Sequence, residues 1–326
     1  MKKKHDYSSV QAMLAIDNPG VRQGLREALR RSGVTSILEV STLNQIAHSF
    51  ESQQWPDLLV VASEIEGQFL GHMIRDIRHS RLGHHPFPLV VVLSMAAEFD
   101  YVRRIVDCGP DDILLVPVSP DQMLNRFLGL ARNRKPFVVT HDYVGPDRRK
   151  NHRPGAGKEV AQLVEVPNPV AAKAAKADPQ SFQRDVETVA QRLNSLKVER
   201  YGVQVRWLDK ALRETFTKET VDEQQVTVLS LRMADIAEDL IKRTANWHDD
   251  RVSKAAQALV SQAKQVSNAG AAAAGQMLQE ISQLCQQVSQ EIVRCLPHLD
   301  SVEMSAQLAQ QDAQMSENPT GEASGG

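Results

Sequence analysis

The sequence predicts an α/β fold, a doubly wound five-stranded parallel sheet, followed by an all-α bundle or coiled-coil region. Three observations predict it. From residue 11 short apolar runs alternate with amphipathic helical stretches, the pattern of a parallel sheet covered by helices on both faces. The runs are nearly continuous in apolar character, Leu89-Val90-Val91-Val92-Leu93 most clearly, as strands buried on both faces must be. From Ser181 to about Leu296 the apolar spacing changes to threes and fours.

The five predicted strands are residues 12–16, 36–40, 58–62, 89–94 and 113–116. Between them Val21, Leu25, Ala28 and Leu29 mark one helical face, Ile46, Ala47 and Phe50 a second, and Phe69, Met73 and Ile77 a third. Ser119 before Pro120 places a capping hydroxyl ahead of a proline in the first helical turn, where its missing N–H is harmless. That last helix runs through Met123, Phe127 and Leu130.

With 326 residues, 42% of them hydrophobic, and a formal net charge of -2, the chain has material for two folded units and linkers. Met1-Lys2-Lys3-Lys4 is basic, but the apolar stretch after it is short and is soon followed by Asp17, Asn18 and Pro19, so no signal peptide is expected. No run approaches the roughly 18 apolar residues of a membrane span. Cys108, Cys285 and Cys295 have neither metal nor redox spacing. The expectation is a soluble cytoplasmic protein with reduced thiols and no membrane partner.

In a doubly wound sheet, ligands sit outside the carboxyl ends of the strands. There the residues Ile16-Asp17-Asn18-Pro19, Ala62-Ser63, Ser94 and Val116-Pro117 fall in order, with Pro56-Asp57-Leu58-Leu59 and Gly109-Pro110-Asp111-Asp112 between them. Residues 8–133 thereby resemble the receiver domain of bacterial two-component response regulators, with a flavodoxin-like sheet. The resemblance implies an acidic pair after the first strand that holds Mg²⁺, a phosphoacceptor aspartate after the third, a Ser or Thr after the fourth, and a lysine before a proline after the fifth. Carried over by position, this chain keeps Asp17, Ser94 and Pro117. It has Ile16 for one acid, Ala62 for the phosphoacceptor and Val116 for the lysine.

Aspartyl phosphorylation needs all of those charges, because carboxylates hold the cation that neutralises the phosphoryl group and the lysine pairs with the product. Three apolar replacements at one site predict a pocket converted to core, with Asp17 left as a favourable charge at a helix N-terminus. Ser63 lacks a carboxylate's charge and an identifiable base. Asp57 precedes its strand and belongs to the opposite edge of the sheet. No catalytic residue, metal or cofactor is implied, and the protein is not expected to be an enzyme.

Residues 134–179 read as a basic connector and flexible linker. From Arg132 to Lys158 there are eight Lys/Arg against two carboxylates. Tyr143-Val144-Gly145-Pro146-Asp147-Arg148-Arg149 resembles a segment that follows receiver domains in some bacterial signalling proteins. Two readings stay open for the connector: an extended segment packing Phe137, Val139 and Tyr143 on a domain surface, or an anion or partner site on Arg148, Arg149, Lys150 and Arg153.

Residues 180–298 read as a helical bundle. Its stripes are Phe182, Val186, Val189, Leu193 and Leu196; Val226, Leu229, Met233, Ile236 and Leu240; Val252, Ala256, Leu259, Ala263 and Val266; and Met277, Ile281, Leu284 and Val288. Gly202 and Asn268-Ala269-Gly270 are read as breaks, with a further helix through Trp207, Leu212 and Phe216. Thr220-Val221-Asp222-Glu223 is read as a capping box. His248 falls in a turn, and His79, His84 and His85 in a loop without acidic or cysteine partners. Residues 299–326 are polar and read as a disordered tail.

Together these features predict a non-catalytic signalling protein of the response-regulator type, a pseudo-receiver in a phosphorelay pathway. It would bind a protein partner, with a helical half that associates with a second copy or another protein. The alternatives are a nucleic-acid-binding regulator using the Arg148 to Arg153 cluster and an unconventional phosphorelay component.

Overall fold

Strand residues that alternate between two apolar surfaces bring helices to both faces of a sheet, and this chain does so along its first third. The computed structural model describes residues 6–51, 55–148, 162–218, 220–269 and 271–296. They fall into two compact units, one ending at Leu193 and the other starting at Asn194.

In chain order the first unit opens with β1 (Gln11–Ala15), α1 (Pro19–Ser32), β2 (Ser36–Val40), α2 (Leu43–Glu51) and β3 (Leu58–Ala62). A small hairpin, β4 (Glu64–Ile65) and β5 (Gln68–Phe69), precedes α3 (Gly71–Arg78), β6 (Leu89–Ser94), α4 (Phe99–Val106), β7 (Asp112–Leu115) and α5 (Pro120–Arg132). The large sheet has the order β2-β1-β3-β6-β7 with every pair parallel. Counted within that sheet, this is the 2-1-3-4-5 order of flavodoxin-like and receiver folds. The expected five strands and their positions are therefore present.

Two cores flank the sheet. Leu14, Val60, Val91 and Leu93 pack with Leu25 and Leu29 of α1 and Phe127 of α5. Met13, Leu59, Val61, Val90 and Val92 pack on the other side with Ile74, Ile77 and Ile105. The ends of α1 are set locally: Asn18 Oδ1 accepts from the Val21 N–H, and Gly33, at φ 104°, lets the chain leave through a left-handed residue. The Ser119 cap is present as a capping box closed by Gln122.

The segment expected as connector and flexible linker is, where described, a part of this unit. β8 (Phe137–Val139), β9 (Val144–Pro146) and β10 (Leu163–Val164) form a three-stranded antiparallel sheet, followed by α6 (Pro169–Ala174). All of β8 and β9 is buried, and Val170 of α6 joins the core beside α5. Asn168 caps α6 and donates to the Leu130 carbonyl at 2.9 Å.

A buried ionic cluster ties this segment to the sheet. Asp111, just before β7, lies 2.6 Å from Arg78 and 2.9 Å from Arg134, with all three side chains at most 2% exposed. Its Oδ2 also accepts from the Val90 N–H at 2.8 Å. Arg78 donates to the carbonyls of Pro86, Pro88 and Gly109, and Arg134 to those of Phe87, Pro88 and Pro167. Both guanidiniums lie about 5 Å from the centroid of the Phe137 ring. Burial opposes the charge on Asp111, but the two guanidiniums outweigh it and hold its carboxyl below the usual range.

α7 (Pro179–Thr215) runs from the first unit into the second, which continues with α8 (Glu223–Thr244), α9 (Arg251–Asn268) and α10 (Ala271–Cys295). Val205, Leu208 and Leu212 of α7 meet Met233 and Leu240, Leu259 and Val266, and Ile281 and Val288 in one bundle core. The stripes through Val226, Val252 and Ile281 are thus the helices' inner faces. Among the described residues no helix is long and apolar enough to cross a membrane.

Two helix boundaries differ from the expectation. Gly202 does not break α7: a Cβ there would lie 3.3 Å from Ile292 Cδ1, and Ser289 Oγ donates to the Gly202 carbonyl at 2.9 Å. The glycine marks close approach of α7 and α10, so the predicted extra helix is the second half of α7. The cap of α8 is Asp222, which accepts from the Gln225 N–H, two residues beyond the expected Thr220. Residues 299–326 lie outside the described residues.

Candidate binding pocket

Parallel pairing sets the carboxyl ends of β1, β3, β6 and β7 side by side. Ile16 N–H donates to the Val40 carbonyl at 3.0 Å, Ser63 N–H to Leu93 at 2.8 Å, and Val116 N–H to Ser94 at 2.8 Å. Between these ends lies a cavity of about 310 Å³. Ile16, Asp17, Ala62 and Val116 all line it, together with Val21, Leu93, Met95, Tyr101 and the hairpin residues Glu64 and Glu66.

The three apolar residues pack with the two cores, as expected, and a cavity nevertheless remains over them. Ile16 is buried, but Ala62 and Val116 are only half-buried. Ala62 is too small to fill the volume. Ser94 is fully buried, and its hydroxyl donates to the Ala96 carbonyl at 2.8 Å. Pro117 follows a cis peptide bond and is exposed.

Asp17 is exposed and stands one residue ahead of the helix cap, its Oδ1 accepting from the Asn18 N–H. Asn18, rather than Asp17, caps α1. Arg22 donates to the Ile16 carbonyl and pairs with Glu39, so its charge is engaged at the side of the pocket.

The β4–β5 hairpin supplies two carboxylates that sequence reasoning missed. Its turn residues Glu66 and Gly67 both have positive φ, 52° and 73°. Two-residue hairpin turns with that geometry favour Asn-Gly or Asp-Gly, so Glu-Gly between two-residue strands gave little signal. Glu66 Oε2 accepts from the Leu43 N–H at the start of α2. Across the mouth, the Tyr101 hydroxyl donates to Glu64 Oε1 at 2.8 Å and lies 3.1 Å from Ser63 Oγ. Burial pushes the Tyr101 hydroxyl's pKa up, so it is a poor base for Ser63.

Three carboxylates thus line the cavity, and no lysine or arginine does among the described residues. Among the described residues no group of three or more His, Cys, Asp or Glu is placed to hold a metal ion.

The other candidate residues lie elsewhere. Arg148 donates to the Pro110 carbonyl at 2.7 Å and is half-buried; Arg149, Lys150 and Arg153 lie outside the described residues. The segment around Arg148 has a packing role: Tyr143 donates to the Pro146 carbonyl, and Gly145 sits against Gly109 where a Cβ would come within 2.8 Å of the Gly109 Cα. Asp57 is at the opposite edge of the sheet, accepting from the Gln11 N–H and from Lys173, each at 2.7 Å. His248 is exposed in the turn between α8 and α9.

No family model and no curated protein matches the chain. Solved structures do. By its sheet order the fold is receiver-like, with helices following. A response regulator from Thermotoga maritima is 24% identical over 38% of this chain and 98% of its own, with a TM-score of 0.33. The receiver domain of a sensor histidine kinase from Pseudomonas aeruginosa, with a magnesium ion coordinated in its active-site cleft, is 21% identical over 37% of this chain and 98% of its own, TM-score 0.31. The Thermotoga maritima response regulator DrrB, an OmpR/PhoB homologue, is 18% identical over 56% of this chain and 87% of its own, TM-score 0.35.

Proposed function

We propose that the protein is a non-enzymatic signalling protein of the response-regulator type whose receiver-like unit works by binding a partner instead of accepting phosphate. The observation that carries this reading is the cavity at the strand ends, open but lined by Ile16, Ala62 and Val116 where phosphoryl chemistry needs charges. Without a carboxylate at position 62 there is no nucleophile in line with the strand. No second acid stands beside Asp17 at position 16, and among the described residues no lysine or arginine lines the cavity.

Ser63 does not supply a substitute. It lines the cavity, but its hydroxyl oxygen accepts from Tyr101, and among the described residues no histidine lines the cavity to serve as its base. Asp57 is equally unsuited, being held by Lys173 at the far edge. The helical unit would supply the second interaction, with another copy or another protein.

The test is intact-mass spectrometry of the full chain after incubation with acetyl phosphate and Mg²⁺. No phosphoryl adduct is expected. A stable adduct removed by hydroxylamine, the signature of an acyl phosphate, would overturn the proposal.

A further inference from the structure

We infer that the strand-end cavity is a binding site for an amphipathic cation, a primary ammonium or guanidinium carried on a short apolar stem. This rests on the reading that the cavity no longer serves phosphate.

Size comes first. At about 310 Å³ the cavity is at the small end of the range for small-molecule pockets, enough for one short chain and its head group. Its walls then sort the chemistry. Ile16, Ala62, Leu93 and Val116, contributed by the strands β3 and β6 and by the residues following β1 and β7, offer an apolar surface with no hydrogen-bonding side chain. The polar groups are Asp17 and Asn18 ahead of α1, Ser63 after β3, Tyr101 of α4, and Glu64 and Glu66 from the hairpin; the charged ones are the three carboxylates. An apolar stem against the strands and a cation toward those carboxylates satisfies both surfaces.

An anion fits neither surface. No lysine or arginine lines the cavity among the described residues, and the nearby Arg22 is held by the Ile16 carbonyl and Glu39. A neutral apolar ligand would use the strand surface but gain nothing from the three exposed carboxylates. The carboxylates also have the geometry to be free on one side: Glu64 accepts from Tyr101 through Oε1 and Glu66 from Leu43 through Oε2. An ionised carboxylate has further lone pairs to offer a donor.

The same ligand chemistry has two sources, a free alkylamine or a lysine or arginine side chain presented by a protein. The experiment separates them. The full chain, with isotope-labelled Ile, Leu and Val methyl groups, is titrated by NMR with n-pentylammonium, 1-pentanol, pentanoate and the peptide acetyl-Gly-Lys-Gly-amide at constant ionic strength. Saturable shifts of the Ile16, Leu93 and Val116 methyls are expected with the ammonium. The alcohol should bind at least about ten-fold more weakly, and pentanoate not at all. Tighter binding of the peptide than of pentylammonium identifies a protein side chain as the source, and the reverse order a free amine.

Glu64→Gln with Glu66→Gln preserves both acceptor oxygens and should weaken the ammonium about ten-fold while leaving the methyl spectrum folded. Ala62→Leu should fill the cavity and abolish the shifts. The inference is overturned if pentylammonium gives no saturable shift at the three methyls, if pentanoate binds as well as the ammonium, or if the paired glutamine variant binds unchanged. Acyl phosphate formed by the same sample with acetyl phosphate would instead sink the reading of the pocket beneath it. Absence of both phosphate uptake and amine binding leaves that reading standing and removes this one.

Discussion

Replacing Asp111 with alanine removes the one carboxylate between two buried guanidiniums. Arg78 and Arg134 are 0% and 2% exposed, so neither can turn to water when its partner goes. Breaking a buried ion pair by deleting one partner typically costs about 3–5 kcal/mol, a large share of a domain's total stability of about 5–15 kcal/mol. The Val90 N–H would also lose its acceptor. The two arginines keep their carbonyl partners, which argues for the middle of that range rather than beyond it. Substituting all three residues by apolar ones should not rescue the loss here, because five backbone carbonyls, those of Pro86, Phe87, Pro88, Gly109 and Pro167, would then lose their donors. The assay is urea denaturation in a Trp207→Phe, Trp247→Phe background, where Trp55 fluorescence reports the first unit alone. A shift worth less than about 1 kcal/mol would refute the claim that this cluster fastens the segment after α5 to the sheet.

Further outcomes follow from individual groups. Burial pulls His85 down to about 4, and its Nδ1 accepts from the Phe87 N–H, so it folds neutral. Its contribution is complete above about pH 6.5 and is lost as pH falls toward 4, by no more than roughly 3 kcal/mol because the residue keeps some exposure; in His85→Gln the urea midpoint of the first unit should depend less on pH across that window. Gly202→Leu forces a branched side chain against Ile292 and should lower the bundle's stability by about 1–3 kcal/mol in thermal denaturation followed by circular dichroism; an unchanged midpoint would contradict the close approach of α7 and α10. Ala62→Asp alone should leave the chain inert to acetyl phosphate, since position 116 still lacks a lysine and position 16 an acid; uptake by this single variant, read by intact mass, would show that the nearby glutamates can hold the metal.

The sheet was legible because strands buried on both faces leave almost no polar residues in their runs, as β3 and β6 show with Leu58 to Val61 and Leu89 to Ser94. The bundle stripes were legible for the matching reason, since each inner face repeats at helical spacing. The segment after Arg132 was legible only in part: the packing of Phe137 and Val139 was one of its two open readings and is borne out, while its small sheet was not foreseen. Its strands are two or three residues long, too short for alternation to register, and its prolines and glycines read as linker while Gly145 and Pro167 are used for close packing and as an acceptor. Gly202 misled by the same route: sequence cannot distinguish a glycine that ends a helix from one that lets two helices touch. At the pocket, the missing charges could be read from positions 16, 62 and 116. Glu64, Glu66 and Tyr101 could not, because a tight hairpin and a separate helix bring them to the mouth.

The two edges of the sheet are treated in opposite ways, and that contrast bears on where ligands can enter. At the amino edge a carboxylate stands ahead of two strands, Asp57 before β3 and Asp111 before β7. Each accepts a backbone N–H from the neighbouring strand, from Gln11 and Val90, and each receives a cation from beyond residue 133, Lys173 for Asp57 and Arg134 for Asp111. The same device used twice closes that edge with β8, β10 and α6. At the carboxyl edge, among the described residues, no lysine or arginine lines the cavity. Position 16 carries a buried isoleucine, bulkier than an acid, but at positions 62 and 116 charge is absent without added bulk, since alanine occupies less space than aspartate and valine less than lysine. A site turned into core would carry a large side chain at position 62, where the cost of an empty volume is greatest. Absence of charge at positions 62 and 116 with space kept over them is what the proposed change of ligand requires.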